Sequence, residues 1–160
     1  MAYTIHTILY ATDLGPYQPT VFRHAAGLAQ QFGAKVHIVY VLEPLGEFAH
    51  SLIDNYVPTD VQAKLHKEGY AEARQNLQAR LDKSCKEDLN IDSKALMSEV
   101  RIVEGRPATV ILDEARRIGA DLIVLGSHGH SALDEMLIGS VARKITLKAT
   151  VPVLLVPIKD

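Results

Sequence analysis

The sequence predicts a three-layer α/β/α fold around a five-stranded parallel sheet. Two observations carry this. Short apolar, β-branched runs alternate with segments of helical period, in the order β-α-β-α-β-α-β-α-β. The stretch Ala120–Leu125 is also a short apolar run bounded by glycines, which reads as a parallel strand buried on both faces. If strands two and three lie on one side of strand one, and four and five on the other, right-handed crossovers make the order 3-2-1-4-5.

Strand one is read from Thr4 to Ala11 and ends in Thr12-Asp13-Leu14-Gly15-Pro16, a polar turn with two helix breakers. Helix one runs from about Gln18 to Phe32, with Val21, Ala25, Leu28, Ala29 and Phe32 at helical spacing and Gly33 as its stop. Val36 to Leu42 is β-branched and aromatic, hence strand two. Leu45 to Thr59 mixes Gly46, Phe48, Tyr56 and Pro58 without a period. A short helix and a lid over a site both remain open there.

Gln62 to Leu89 reads as one long helix with Tyr70, Ala73, Leu77 and Leu81 as its buried stripe. Strand three spans Leu96 to Val103. Pro107 suits the first position of helix three, where its missing N–H costs nothing. Val110, Ile111, Ala115 and Ile118 face inward, and Gly119 stops that helix. Ala120 to Leu125 is strand four. Helix four begins at Gly139, with Val141, Ile145 and Ala149 on one face, and Val151 to Val156 is strand five.

The chain has 160 residues, 48% of them hydrophobic and 22% charged, with net charge -2. That suits one domain over 1–160. No basic run marks a nucleic-acid backbone as partner, and no apolar run approaches the length of a membrane span. The N-terminus is a strand start rather than a leader, and the single Cys85 fits a reducing, cytoplasmic setting. Cys85 sits among Lys and Glu with no base partner in sight, so it is not expected to be reactive.

Open α/β sheets bind ligands at the carboxyl ends of strands where the order reverses. In the order above that switch lies between strands one and four. The loops meeting there are Ala11-Thr12-Asp13 and the stretch from Gly126 to Ser140. In the second, Gly126 and Gly129 allow a sharp turn and close approach of backbone to a ligand. Gly139-Ser140 opens a helix, whose free N–H groups favour an anion. The pattern is that of a phosphate cradle.

Each residue also has a plain structural reading. Asp13 can accept from a ribose hydroxyl or reach a phosphate-bound Mg through water; it can also cap helix one or close an Asx turn. Val41 can offer its backbone to a base edge, or be core. Ser140 can donate to a phosphate, or cap helix four. His128 and His130, near Asp134 and Glu135, raise a metal reading. No further Cys or His is placed to complete four ligands, so no protein-only metal site is assigned.

Stronger nucleotide signatures are missing: no G-x-x-x-x-G-K-[ST], no G-x-G-x-x-G after strand one, and no G-x-S-x-G elbow. A nucleotide-dependent ligase or transferase of a related α/β fold is the rival reading. Ala11-Thr12-Asp13-Leu14-Gly15 lacks the S-G-G-x-D-S or H-I-G-H loop usual in those enzymes. No catalytic residue is assigned.

Gly126-x-x-Gly129, nine residues, then Gly139-Ser140 is similar to the phosphate motif of the universal stress protein family, in its ATP-binding branch. Asp13 after strand one, Ala120 to Gly129 and the ending Thr150 to Pro157 carry the likeness across essentially the whole chain. The resemblance implies order 3-2-1-4-5, ATP (or AMP or ADP, with Mg as an option) at the switch, and a homodimer through Val151 to Val156. It places Asp13 and Val41 at ribose and adenine. Ala11, Thr12, Gly126, Ser127, His128, Gly129, His130, Gly139, Ser140, Val141 and Ala142 complete the nucleotide-binding set. It further implies a cytoplasmic regulatory or stress-response role. Any ATP hydrolysis is expected to be slow, since the loop offers no Lys and no positioned base. His130 stands where Arg is common in the family, Ala132 where Gly is common, and Leu14-Gly15-Pro16 where serines are common.

Overall fold

The computed structural model describes residues 2–13, 15, 18–128 and 138–158. Its elements are β1 (Thr7–Thr12), α1 (Gln18–Phe32), β2 (Lys35–Leu42), α2 (Glu47–Tyr56), α3 (Thr59–Asp88), α4 (Ser93–Leu96), β3 (Met97–Glu104), α5 (Pro107–Ile118), β4 (Leu122–Gly126), α6 (Ser140–Lys148) and β5 (Val153–Val156). The sheet has five strands, parallel throughout, in the order β3-β2-β1-β4-β5.

Alternate residues along each strand feed opposite cores, as a two-residue period requires. Ile8, Tyr10, Val36, Ile38 and Val124 pack with Val21, Phe22, Ala25 and Ala29 of α1 and with Leu77, Leu81 and Cys85 of α3. Leu9, Val39, Ile123 and Leu125 pack with Ile111, Leu112 and Ala115 of α5 and with Ala142 and Ile145 of α6. One layer is therefore α1 and α3, the other α5 and α6. At 25 cal/mol per Å² of apolar surface, each fully buried Leu, Ile or Phe contributes roughly 1.5–3 kcal/mol before entropy is charged against it.

Several expectations shift. β1 starts at Thr7, not Thr4, and β5 at Val153, not Val151. At the start of β1, the Asp121 carboxylate accepts the His6 and Thr7 amides at 2.8 and 3.0 Å, binding that approach to β4 through a side chain. In α1 the buried aromatic is Phe22; Phe32 is 54% exposed, because the last turn overruns the sheet. In α5 the buried side chains are Ile111, Leu112, Glu114 and Ala115, while Val110 and Ile118 are only half-buried. In α6 they are Ala142 and Ile145, and Ala149 is the C-cap rather than a face residue.

The long helix α3 buries only Leu77, Leu81, Ser84 and Cys85. Tyr70 and Ala73 are half-buried, and the Tyr70 hydroxyl donates to Glu104 at the end of β3 at 3.0 Å. Burial pushes the Cys85 thiol up to about 11, which makes it a poor nucleophile. The Leu45–Thr59 stretch holds α2, which buries no side chain and leaves Phe48 and Tyr56 exposed. The one-turn α4, with Asp92 accepting from the Lys94 amide at 3.0 Å, had no sequence signal long enough to read. No helix among the described residues is long and apolar enough to cross a membrane.

Candidate functional site

The crossover after β1 leads to β2 on one side, while β4 lies against β1 on the other. Their connections leave in opposite directions and open a crevice at the carboxyl ends. A cavity of about 680 Å³ fills that crevice, within the usual range for small-molecule sites. Ala11, Thr12 and Asp13 line it from β1, and Val41 from β2. Gly126 and His128 line it from β4, and Gly139, Ser140, Val141 and Ala142 from the start of α6. Gly129 and His130 lie outside the described residues, as do Asp134 and Glu135 of the metal reading.

The two flanks of the glycine stretch are tied together. Ser127 carbonyl oxygen accepts the Gly139 amide at 2.8 Å, and the Ser127 amide donates to Val156 at 2.9 Å. Ser127 Oγ accepts the Ile158 amide at 3.1 Å. Ser127 thus clips β4, α6 and the segment after β5 to one another, and it does not line the cavity. The clip holds the first turn of α6 beside the end of β4.

The glycine geometry differs from the expectation. Gly126 is the last residue of β4 and is not among the positive-φ glycines, so the sharp-turn role does not apply to it. Its missing Cβ instead leaves room for Ile158 and Val21. Gly139, at φ −57° and ψ 152°, is the N-cap of α6 and offers no side chain. Ser140 is therefore the first helical residue rather than the cap. Asp13 does close a tight turn: its Oδ1 accepts the Gly15 amide at 2.9 Å.

Three helix N-termini border the cavity, at Gln18, Pro107 and Ser140. None has an acidic residue in its first turn, so their positive ends are not neutralised locally. Of the described lining residues none is Lys or Arg, and the acids are Asp13 and Glu43. A second hollow of about 530 Å³ adjoins past Ser140 and Val141 and carries Arg106, Arg116, Lys144 and Lys148, with Glu43 and Asp113 as its acids. Among the described residues no cluster of three His, Cys, Asp or Glu is placed to hold a metal.

The structure also adds lining residues that sequence reasoning missed: Tyr10, Gln18, Tyr40, Pro107 and Ile158. Tyr10 and Tyr40 read as plain strand residues, and Ile158 as tail. Gln18 is 2% exposed although it opens a helix. A buried glutamine at a helix start is a signal, but its burial is invisible without the sheet beneath it.

The chain matches the universal stress protein family over residues 4–157. It belongs to that family. Universal stress protein YxiE of Bacillus subtilis is 31% identical over 150 residues, covering 93% of this chain and 97% of that one. The solved structure of MJ0577 from Methanocaldococcus jannaschii superposes with a TM-score of 0.69 at 25% identity, covering 98% and 99%. Two further universal stress protein structures share the fold. One, in complex with cAMP, has a TM-score of 0.60 at 20% identity over 96% of this chain and 97% of that one. The other, from Archaeoglobus fulgidus in complex with dAMP, has 0.53 at 22% over 96% and 98%. In this family member, the expected order 3-2-1-4-5 and the helices on both faces are both present.

Proposed function

We propose that this universal stress protein binds an adenine nucleotide, ATP or its di- or monophosphate, in the β1–β4 crevice. On this reading it is a one-domain cytoplasmic regulatory or stress-response protein that hydrolyses ATP slowly at most. The observation that carries the reading is convergence. Asp13, Val41, Gly126, His128 and Ser140 come from four different elements or their ends, yet all line one cavity. The cAMP and dAMP complexes of two fold neighbours add support for an adenine nucleotide.

The roles follow from chemistry and place. The base lies on the β2 side, where Val41 and Tyr40 offer backbone and an apolar wall. Asp13 accepts from a ribose hydroxyl. The phosphates lie at Gly126, His128 and the α6 N-terminus, with Gly129 and His130 completing the loop. There, backbone N–H groups of Ser140, Val141 and Ala142 have no partner inside the helix and suit an anion. Mg, where present, is carried by the phosphates and meets Asp13 through water. Slow hydrolysis agrees with the lack of Lys or Arg among the described lining residues.

Titration calorimetry with ATP, ADP and AMP tests the reading, alongside native mass spectrometry for retained nucleotide. Saturable binding at one site per chain is expected. No heat with any of the three, and no retained nucleotide, overturns it.

A further inference from the structure

We propose that Gln18, the first residue of α1, is a phosphate-contacting residue of this cavity, so that the phosphates are held between both helical layers. The inference rests on the nucleotide reading above and extends it to a residue outside the glycine motif.

Gln18 lines the cavity, yet it is 2% exposed and its Nε2 has no hydrogen-bond partner. A buried donor left unsatisfied costs roughly 1–3 kcal/mol, so such groups are rare and call for an explanation. The Tyr10 hydroxyl does not supply one. It feels the Gln18 amide, but it donates to the Gln18 backbone oxygen at 3.3 Å and does not accept from Nε2 in hydrogen-bond geometry. A second unpartnered buried donor or acceptor, His128 Nδ1, lines the same cavity.

The position selects the phosphates. Gln18 stands one turn before Val21, and the Val21 side chain lies 3.4 Å from where a Gly126 Cβ would be. Gln18 thus opens the turn of α1 that reaches Gly126. Its helix belongs to the layer of α1 and α3, whereas Ser140 opens α6 in the opposite layer. Two helix N-termini therefore approach the end of β4 from the two faces of the sheet. A phosphate oxygen between them gives the Gln18 amide the acceptor that the protein itself does not provide. A neutral carboxamide donor also suits a cavity whose described lining has no Lys or Arg.

Gln18→Met keeps the length and volume of the side chain and removes the donor; Gln18→Ala is a second variant should methionine pack badly. ATP and adenosine are each titrated into wild type and variants, and ligand-free thermal melts are recorded. The expected result is ATP affinity weakened about tenfold or more, adenosine affinity within twofold, and a melting temperature equal to or above that of wild type. Unchanged ATP affinity overturns the inference. Equal weakening of ATP and adenosine also overturns it, because the amide then serves the nucleoside. A variant that melts lower with ATP affinity intact assigns Gln18 to the core and overturns it too. Wild type that binds neither ligand removes the nucleotide reading itself, a result distinct from the other three.

Discussion

A Cβ on Gly126 would stand 2.5 Å from Cδ1 of Ile158 and 3.4 Å from Cγ2 of Val21. The segment after β5 therefore closes over the end of β4, where the Ile158 amide is held by Ser127 Oγ at 3.1 Å. Gly126→Ala must push Ile158 aside and is expected to cost about 1 kcal/mol, at the low end for overpacking because the clashing atom is the end of a flexible side chain. Ile158→Ala in the same chain removes the clash. Urea denaturation of both single variants and the double checks this: the double should be more stable than the sum of the singles requires. Strict additivity would show that the two residues do not compete for the same space.

Asp13 Oδ1 closes the turn onto the Gly15 amide at 2.9 Å, and the residue lines the cavity; on the proposed reading it also meets the ribose. Asp13→Asn keeps an oxygen for the turn but removes the charge. It should leave the unfolding midpoint near wild type while weakening ATP by about 1.5–3 kcal/mol, the range for a hydrogen bond to a charged group. Asp13→Ala should lose the turn as well and melt lower. Calorimetry and thermal melts separate the two; Asn binding ATP as tightly as wild type would confine Asp13 to the turn.

Acid stability is expected to depend on Glu99. Its Oε2 meets the Arg117 guanidinium at 2.7 Å, and that hydrogen bond holds its carboxyl below the ordinary 4.5. Arg117 also holds Glu114, 7% exposed, at 2.9 Å, and Arg101 reaches the same carboxylate at 3.1 Å. A depressed carboxyl contributes stability that is full above its unfolded value and lost as pH falls through its folded one. Wild type should therefore lose stability below about pH 4.5, and Glu99→Gln should lose less over that window. The effect is modest, since the Glu99 side chain is 36% exposed. Denaturant midpoints measured from pH 7 downward test it; parallel curves for the two proteins would place the acid sensitivity elsewhere.

A homodimer through β5 is our proposal for the free sheet edge. Among the described residues β5 pairs with β4 alone, and an open apolar edge is a hazard that proteins cover or pair. The Ile123 amide donates to Pro152, and Ser127 to Val156. In a parallel ladder, alternate residues of a strand bond the same neighbour. Pro152, Leu154 and Val156 thus turn their backbone toward β4, and Val153 and Leu155 turn theirs to the free edge. Leu155→Pro removes an outward donor, a position where an edge strand tolerates proline. Sedimentation should give a dimer for wild type and a monomer for Leu155→Pro; a monomeric wild type at micromolar concentration sinks the proposal.

The order of strands and helices was legible in the sequence because burial on two faces leaves a long-lived mark: apolar runs such as Leu122–Leu125 and the stripe of Leu77 and Leu81 need no partner to be recognised. So was the meeting of Asp13 with Gly126, His128, Gly139 and Ser140 at one cavity, since strand order dictates which strand ends lie side by side. What the sequence left open depends on where each element stops against the others. Phe32 carries the right period yet is 54% exposed, and Tyr70 is half-buried with its hydroxyl spent on Glu104 at the end of β3. Gly126 was read as a turn glycine, yet its φ is unremarkable and its small size serves Ile158, thirty-two positions later in the chain. Gln18 looked like an ordinary helix start. Only the tertiary structure shuts its amide away from solvent against the cavity wall, because burial is a property of what packs around a residue and not of the residue itself.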